Sequence, residues 1–414
     1  MARSFRARVF ADAPSALSRS GEGRARNDRL WQRRIAHHGT VVSMNASGDC
    51  HVSQPELVVL LGAGASHRAA SDPLLVDRSV DSRPPLTTGL FSQRYVNILH
   101  GYPLAEQAAP KIRRALESGV MSLERYLRTE LRDADHRTTT AQYQEIPLYL
   151  QHVLWDRSQP RAFATQPDNL TELVPDTLRA ARVTFVTLNY DTILDRLLAA
   201  YDPIVGMDSY VRPDLEWALL KLHGSVDWGY RIGPVRLDPR AAPSLRDALR
   251  TFHDPLQQLD STITFRGGAN DLDEMRREVT GPTSTHPMRN PGVEYFYPAL
   301  AAPLGPPDEL IRPPEHVQFL QDRIGEMYDG LNLLVIGYSA IDPTALEVLT
   351  KPGRKLRKLL VVDREHDSAN TIAGKLCDAF GMQANYAHFA YHGDFDHFVA
   401  HRGLAKFLEE IKLP

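Results

Sequence analysis

Five places along this chain put small or polar residues directly after an apolar run, and their types suit a sugar, a phosphate or a water molecule. The first is Leu60-Leu61-Gly62-Ala63-Gly64-Ala65-Ser66. A glycine-rich turn at a strand end lets backbone N–H groups approach a pyrophosphate, and a following helix N-terminus favours the negative charge. Gly62 and Gly64 are the close-approach positions, Ala63 lies between them, and Ser66 offers a hydroxyl. The third glycine of the dinucleotide fingerprint is missing. A tight strand-to-helix turn with nothing bound is therefore the alternative.

The second place is Thr187-Leu188-Asn189-Tyr190-Asp191. Asp191 suits a helix N-cap and Asn189 suits a turn. Both also suit a substrate hydroxyl or a water, as Thr187 does to a lesser degree. The third is Lys221-Leu222-His223-Gly224. A histidine is the natural general base near neutral pH, although a lone one is more often structural. The fourth pairs Gly337 with Ser339, and the fifth is Asp363 after an apolar run. Asp363 could hold a ribose hydroxyl, cap a helix or be a loop acid. Five polar strand ends in one sheet open on the same rim. Together they describe a dinucleotide pocket holding one histidine and one asparagine.

That geometry requires a parallel sheet. The runs 56–61, 182–188, 331–337 and 358–363 are apolar and β-branched, and three of the four are continuous rather than alternating. Such runs suit strands covered on both faces. Each precedes a helical pattern, so the fold class is α/β: a doubly wound, mostly parallel Rossmann-like sheet. A further strand runs through 217–222 and ends at His223-Gly224. Residues 100–180 read as a helical insertion and 229–290 as a smaller, irregular one, within a dinucleotide-binding domain spanning 51–414. The last stretch, 395–412, reads as an amphipathic helix that packs on the sheet.

Composition narrows the classes. The chain has 414 residues, 43% hydrophobic and 24% charged, the balance of a soluble globular protein. No apolar run reaches the ~20 residues of a membrane helix. Residues 1–43 carry nine Arg against Asp12, Glu22 and Asp28, a net of +6. The whole chain is −3, so the remainder carries −3 − 6 = −9. An acidic body argues against broad nucleic-acid binding. The Arg-rich head, 1–50, reads as a disordered tail or as an upstream start that overextends the chain. Cys50 and Cys377 stand far apart, so a disulfide framework is not expected and a reducing cytoplasm is the default. A four-cysteine zinc site cannot be built from two cysteines. His392, Asp394, Asp396 and His397 have a metal-like look, but they read better as capping or flanking the last helix, and no metal is expected.

The stretches "GAGAS", "TLNYD", "KLHGS" and "VIGYS" occur in the order found in the sirtuin-like superfamily. The chain resembles most its bacterial branch of NAD-cleaving antiphage defence proteins. "RPPLTTGLF" (83–91) is similar to the segment that follows the glycine loop in that branch. The resemblance runs from about Glu56 to Asp363 and on toward the C-terminus. It implies that Gly62, Ala63, Gly64 and Ser66 line the NAD phosphates. It implies that Asn189 sits by the nicotinamide ribose and holds that ribose or the attacking water. Asp191 would support the loop or touch nicotinamide, and His223 would be the general base. Gly337, Ser339 and Asp363 would face the adenosine half, with Thr187 a lesser contributor.

Three departures separate the chain from sirtuin deacylases. It cannot build their zinc ribbon, Leu188 replaces the Gln of their Gln-Asn-Ile-Asp motif, and their Phe-Arg-Ser loop has no counterpart after Ser66. The resemblance therefore implies NAD hydrolysis to ADP-ribose and nicotinamide, with NAD as substrate. It further implies an NAD-depleting defence effector that forms homo-oligomers and works with a separate partner such as a helicase-type ATPase. The other readings are a protein deacylase or ADP-ribosyltransferase, and a non-catalytic sensor of NAD or ADP-ribose.

Overall fold

The computed structural model describes residues 55–69, 84–118, 123–132, 137–158, 169–232, 244–245, 259–280, 292–300, 313–327, 330–339, 343–350, 355–382 and 389–412. The Arg-rich head lies outside them. No helix among the described residues is long and apolar enough to cross a membrane.

The continuous apolar runs do form a parallel sheet. β1 is Glu56–Leu61, β2 is Arg182–Thr187 and β3 is Trp217–Lys221. Two later strands join them, β8 (Leu331–Ile336) and β9 (Leu356–Val362). The order across the sheet is β3-β2-β1-β8-β9, and every pairing is parallel. The chain first builds outward from β1 through β2 to β3. It then returns to the other side of β1 to lay down β8 and β9. This reversal makes the β1–β8 seam the switch point of a doubly wound sheet, where ligands of such sheets bind.

Alternation along β1 shows why Leu57–Leu61 are apolar throughout. Leu57, Val59 and Leu61 enter a core with helices Asn169–Ala180 and Gly403–Lys412. Val58 and Leu60 enter the opposite core with helices Pro314–Glu326 and His366–Ala379. Each fully buried Leu or Val contributes about 1.5–3 kcal/mol, so both faces of the strand are committed.

The sequence pattern gives 229–290 as irregular, and here the structure differs. It builds a second, antiparallel sheet in the order β5-β4-β7-β6. β4 is Gly224–Ile232, β5 Leu259–Phe265, β6 Arg277–Thr280 and β7 Gly292–Leu300. The apolar stretch around His223 is thus two strands in two sheets, with Leu222 and His223 as the turn between them. The helical insertion supplies helices Pro103–Glu117, Leu123–Arg132, Arg137–Arg157 and Asn169–Ala180. Ile112, Tyr149 and Val153 from those helices share a core with Val226, Tyr295 and Tyr297 of the second sheet.

The seam itself allows no side chain. A Cβ on Gly62 would lie 2.3 Å from the Gly337 oxygen, and one on Gly337 would lie 2.5 Å from the Ala65 nitrogen. Gly337 also has φ +62°, a left-handed conformation that glycine adopts without penalty. Gly62→Ala and Gly337→Ala should each lose about 2 kcal/mol or more in denaturant titrations, the cost of an overpacked, strained backbone. Gly89→Ala, with its nearest neighbour at 3.8 Å, should stay near wild type. Equal stability for all three would contradict this reading of the seam.

Candidate active site

The rim begins where β1 ends. Gly62 N–H donates to Ile336 O at 3.0 Å and Gly64 N–H to Gly337 O at 3.2 Å. Gly337 N–H donates in turn to Val362 O at 3.0 Å, and Ala65 N–H closes the turn on Gly62 O at 3.0 Å. These bonds continue the sheet's pairing past the strand ends. They also revise the expectation for the glycines. The space beside Gly62 and Gly64 is filled by the Gly337 backbone, and their N–H groups are engaged within the protein. The close approach they permit is chain to chain. Ala63 carries the N–H of this turn that those bonds leave out, and Ser66 carries its hydroxyl.

A polar knot ties this turn to the end of β2. Thr187 Oγ1 donates to Leu61 O at 3.2 Å and accepts from Asn189 N–H at 3.0 Å. Asn189 Nδ2 donates to Gly62 O at 2.9 Å and to Ser66 Oγ at 2.8 Å. The Ser66 hydroxyl donates a hydrogen bond to the Asp191 carboxylate. Asp191 Oδ1 accepts from Ile193 N–H at 3.0 Å, opening helix Ile193–Leu198. Thr192, not Asp191, is the N-cap residue, and its side chain makes no cap bond. Asp191 reaches the first helical N–H from one position earlier, and Asn189 lies in the loop with a specific polarity. Both amide hydrogens of Asn189 are engaged, so the group offers its Oδ1, an acceptor. Asn189 would receive a hydrogen bond from a hydroxyl or a water, not give one.

His223 lies in the turn that leaves the parallel sheet. Leu222 N–H donates to Thr187 O at 2.9 Å, which holds this turn against the end of β2. The imidazole packs 5.9 Å, centroid to centroid, from the Tyr190 ring. Val226 N–H donates to Tyr190 O at 2.9 Å. The Asn189–Asp191 loop and the His223 turn are thus neighbours, joined from both sides. Both are nearly closed: Asn189 is 9% exposed and His223 4%.

The other expected residues divide. Gly337 belongs to the seam, and Ser339 is exposed just beyond it. Asp363 accepts from Arg364 N–H at 2.6 Å and from Glu365 N–H and Ser368, at the entry to helix His366–Ala379. Burial pushes its carboxyl up, and these bonds pull it back. Asp363 thus ties down the chain entering that helix, whose N-cap residue is Glu365. Asp394 caps helix Phe395–Ala400 through His397 N–H at 2.9 Å, and Asp396 accepts from Asn169 Nδ2 at 2.5 Å. Among the described residues no group of three His, Cys, Asp or Glu side chains is placed to hold a metal ion. In "RPPLTTGLF", Leu90 O accepts from Tyr149 Oη at 2.6 Å and Phe91 O from Arg113, so this segment is held by the helical insertion.

Sequence reasoning passes over a buried charged cluster beneath the rim. Lys221, Asp195 and Asp227 are all buried. The only sequence signal is a lysine inside an otherwise apolar strand. Burial raises the Asp191 carboxyl, opposed by the Lys221 ammonium, the Ser66 hydroxyl and the Ile193 N–H. Asp227 is pushed up to about 6, first by burial and then by the Asp195 charge, against Lys221 and the Ser225 hydroxyl.

No family model matches the chain, and no curated protein matches it. Three solved structures align over most of their length. A histidine-to-asparagine mutant of a Sir2 homologue with ADP-ribose is 11% identical, covers 87% of this chain and 92% of its own, and has a TM-score of 0.35. A Sir2 homologue with NAD is 12% identical, covers 91% and 98%, and scores 0.31. A triple mutant of Sir2 homologues with 2'-O-acetyl ADP-ribose is 10% identical, covers 87% and 92%, and scores 0.31. A likeness at this level assigns no activity.

The Asp227 shift carries a pH dependence. The folded carboxyl binds its proton more tightly than the unfolded chain, whose value is near 3.8. Stability from this group is therefore present below that value and lost as pH rises through about 6. Asp227→Asn should gain on wild type as pH rises across this window, by at most about 1.4 kcal/mol per pH unit. Denaturant midpoints measured across the window check this, and parallel curves for the two proteins would contradict it.

Proposed function

We propose that this chain binds NAD at the rim and hydrolyses its nicotinamide–ribose bond. The observation that carries the reading is the Ser66–Asn189–Asp191 knot at the switch point, with its acceptor oxygen available and His223 in the adjoining turn. The four motifs that resemble the sirtuin-like superfamily supply these same residues.

In this reaction the bond between ribose C1' and the nicotinamide nitrogen breaks, and its electron pair leaves with nicotinamide. Positive charge develops on the ribose. Water adds to C1' and gives up a proton, leaving ADP-ribose. Asn189 Oδ1 would accept from that water or from a ribose hydroxyl and so orient it. His223 would take the proton, directly or through a ribose hydroxyl. Asp191 holds the loop and adds negative charge near the developing cation. Ala63 and Ser66 would meet the phosphates, Gly62, Gly64 and Thr187 would shape their floor, and Gly337, Ser339 and Asp363 would border the adenosine half. The chain's two cysteines cannot supply the zinc ribbon of sirtuin deacylases, which favours water over an acyl-lysine as the acceptor.

The same resemblance supports a wider role. NAD depletion would arrest an infected bacterial cell, and such an effector is held inactive until homo-oligomer assembly or a partner, such as a helicase-type ATPase, releases it.

Purified protein incubated with NAD should yield nicotinamide and ADP-ribose by chromatography. His223→Ala and Asn189→Ala should each lower turnover by about 10²–10⁴-fold, the contribution of a positioned acid–base group. Wild-type turnover in either variant would contradict the assignment. NAD binding by calorimetry without turnover, alone or with a co-purifying partner, would favour a sensor.

A further inference from the structure

Lys221 is the last residue of β3, paired in register with Thr187. Its side chain is fully buried, with 0% exposure. A lysine withdrawn from water is a heavy penalty unless it is paired and hydrogen-bonded, and an aliphatic residue would fill this strand position without it. The partners account for its presence. Nζ donates to Asp195 Oδ2 at 2.9 Å and to the backbone carbonyl of Asp191 at 2.5 Å.

Asp195 is itself fixed from the far side. Its Oδ1 accepts from Tyr210 Oη at 2.7 Å, and that oxygen accepts from Trp228 Nε1 at 3.2 Å. Tyr210 and Trp228 are both completely buried. A chain of side chains therefore runs from β4, through Tyr210 and Asp195, to Lys221 and the Asp191 peptide. Residues 188–192 have no helix or strand of their own, so their path depends on such clamps. The carbonyl that Lys221 holds belongs to the residue whose carboxylate meets Ser66, two positions beyond Asn189.

We propose that Lys221 and Asp195 are positioning residues, which orient the Asp191 peptide and thereby aim Asn189 and the Asp191 carboxylate at the rim. The effect on loop order stands by itself. The effect on turnover rests on the NAD-cleaving reading above.

The two parts are tested together in the full chain. Lys221→Met/Asp195→Asn removes both buried charges while Asn keeps an acceptor for Tyr210. Removing both charges rather than one leaves the net charge of the cluster with Asp191, Asp227 and Arg196 unchanged, so the melting temperature should stay within about 4 °C of wild type. Hydrogen–deuterium exchange at the amides of Asn189 and Ile193 should be about tenfold faster or more, from loss of a charge-assisted bond. Exchange in β1 and β2 should not change. NAD turnover should fall about 100-fold, in kcat rather than KM, as expected for a misplaced reacting group. Tyr210→Phe removes only the hydroxyl behind Asp195 and serves if the double variant does not fold. It should loosen the same two amides by a smaller factor. Wild-type exchange at Asn189 and Ile193 in the folded variants would overturn the proposal, whatever happens to NAD. A loosened loop with wild-type kcat would overturn its catalytic half. If wild type cleaves no NAD, the function fails by itself, and the exchange data still decide the positioning.

Discussion

The backbone crossing at Gly62, Gly64 and Gly337 is the constraint on which the rest of the site depends. Three peptides pass so closely there that no Cβ fits between them. Their mutual hydrogen bonds extend β1, β8 and β9 beyond the sheet and start helix Ala63–Ala69 at once. Ser66 therefore stands one turn above the seam, within 2.8 Å of Asn189. Any side chain at the crossing would push β1 and β8 apart and displace Ser66 from its partners.

From that seam the polar groups follow in order. Gly62 O and Ser66 Oγ take both hydrogens of Asn189, and Ser66 continues to Asp191. The Ser66, Asn189 and Asp191 side chains can be buried because each finds a partner, whereas Asp227 Oδ1 has none among the described residues. The residual strain is electrostatic. Asp191, Asp195 and Asp227 lie close around the Lys221 ammonium, and Arg196 also senses all three carboxylates. The Asp227 carboxyl, raised toward neutrality, is the visible consequence. The site is thus ordered by dense internal bonding.

Much of this is legible in the sequence, for a physical reason. Strands covered on both faces are apolar at most positions, so β1, β2, β8 and β9 stand out within one or two residues of their bounds. Polar residues right after such strands have to lie at the rim, which is how Ser66, Asn189, Asp191 and His223 come to notice. The antiparallel sheet is not legible. β6 is short, and β5 mixes Asp, Ser and Thr among its apolar residues, so neither run stands out as a strand. Lys221 escapes notice because a lysine near a strand end ordinarily reaches solvent; its ion pair with Asp195 exists only in three dimensions. Asp363 is ambiguous in sequence, since an acid after a strand suits a ribose and a helix entry equally, and its contacts to Arg364, Glu365 and Ser368 exist only in three dimensions.

The central claim is that these strand ends form one dinucleotide-binding rim. A crystal structure of the full chain with ADP-ribose tests it most directly. The account predicts the diphosphate over Ala63 and Ser66, and a ribose hydroxyl or water donating to Asn189 Oδ1 beside His223. ADP-ribose bound away from the β1–β8 seam, or bound there with the Asn189 amide turned to donate, would contradict it.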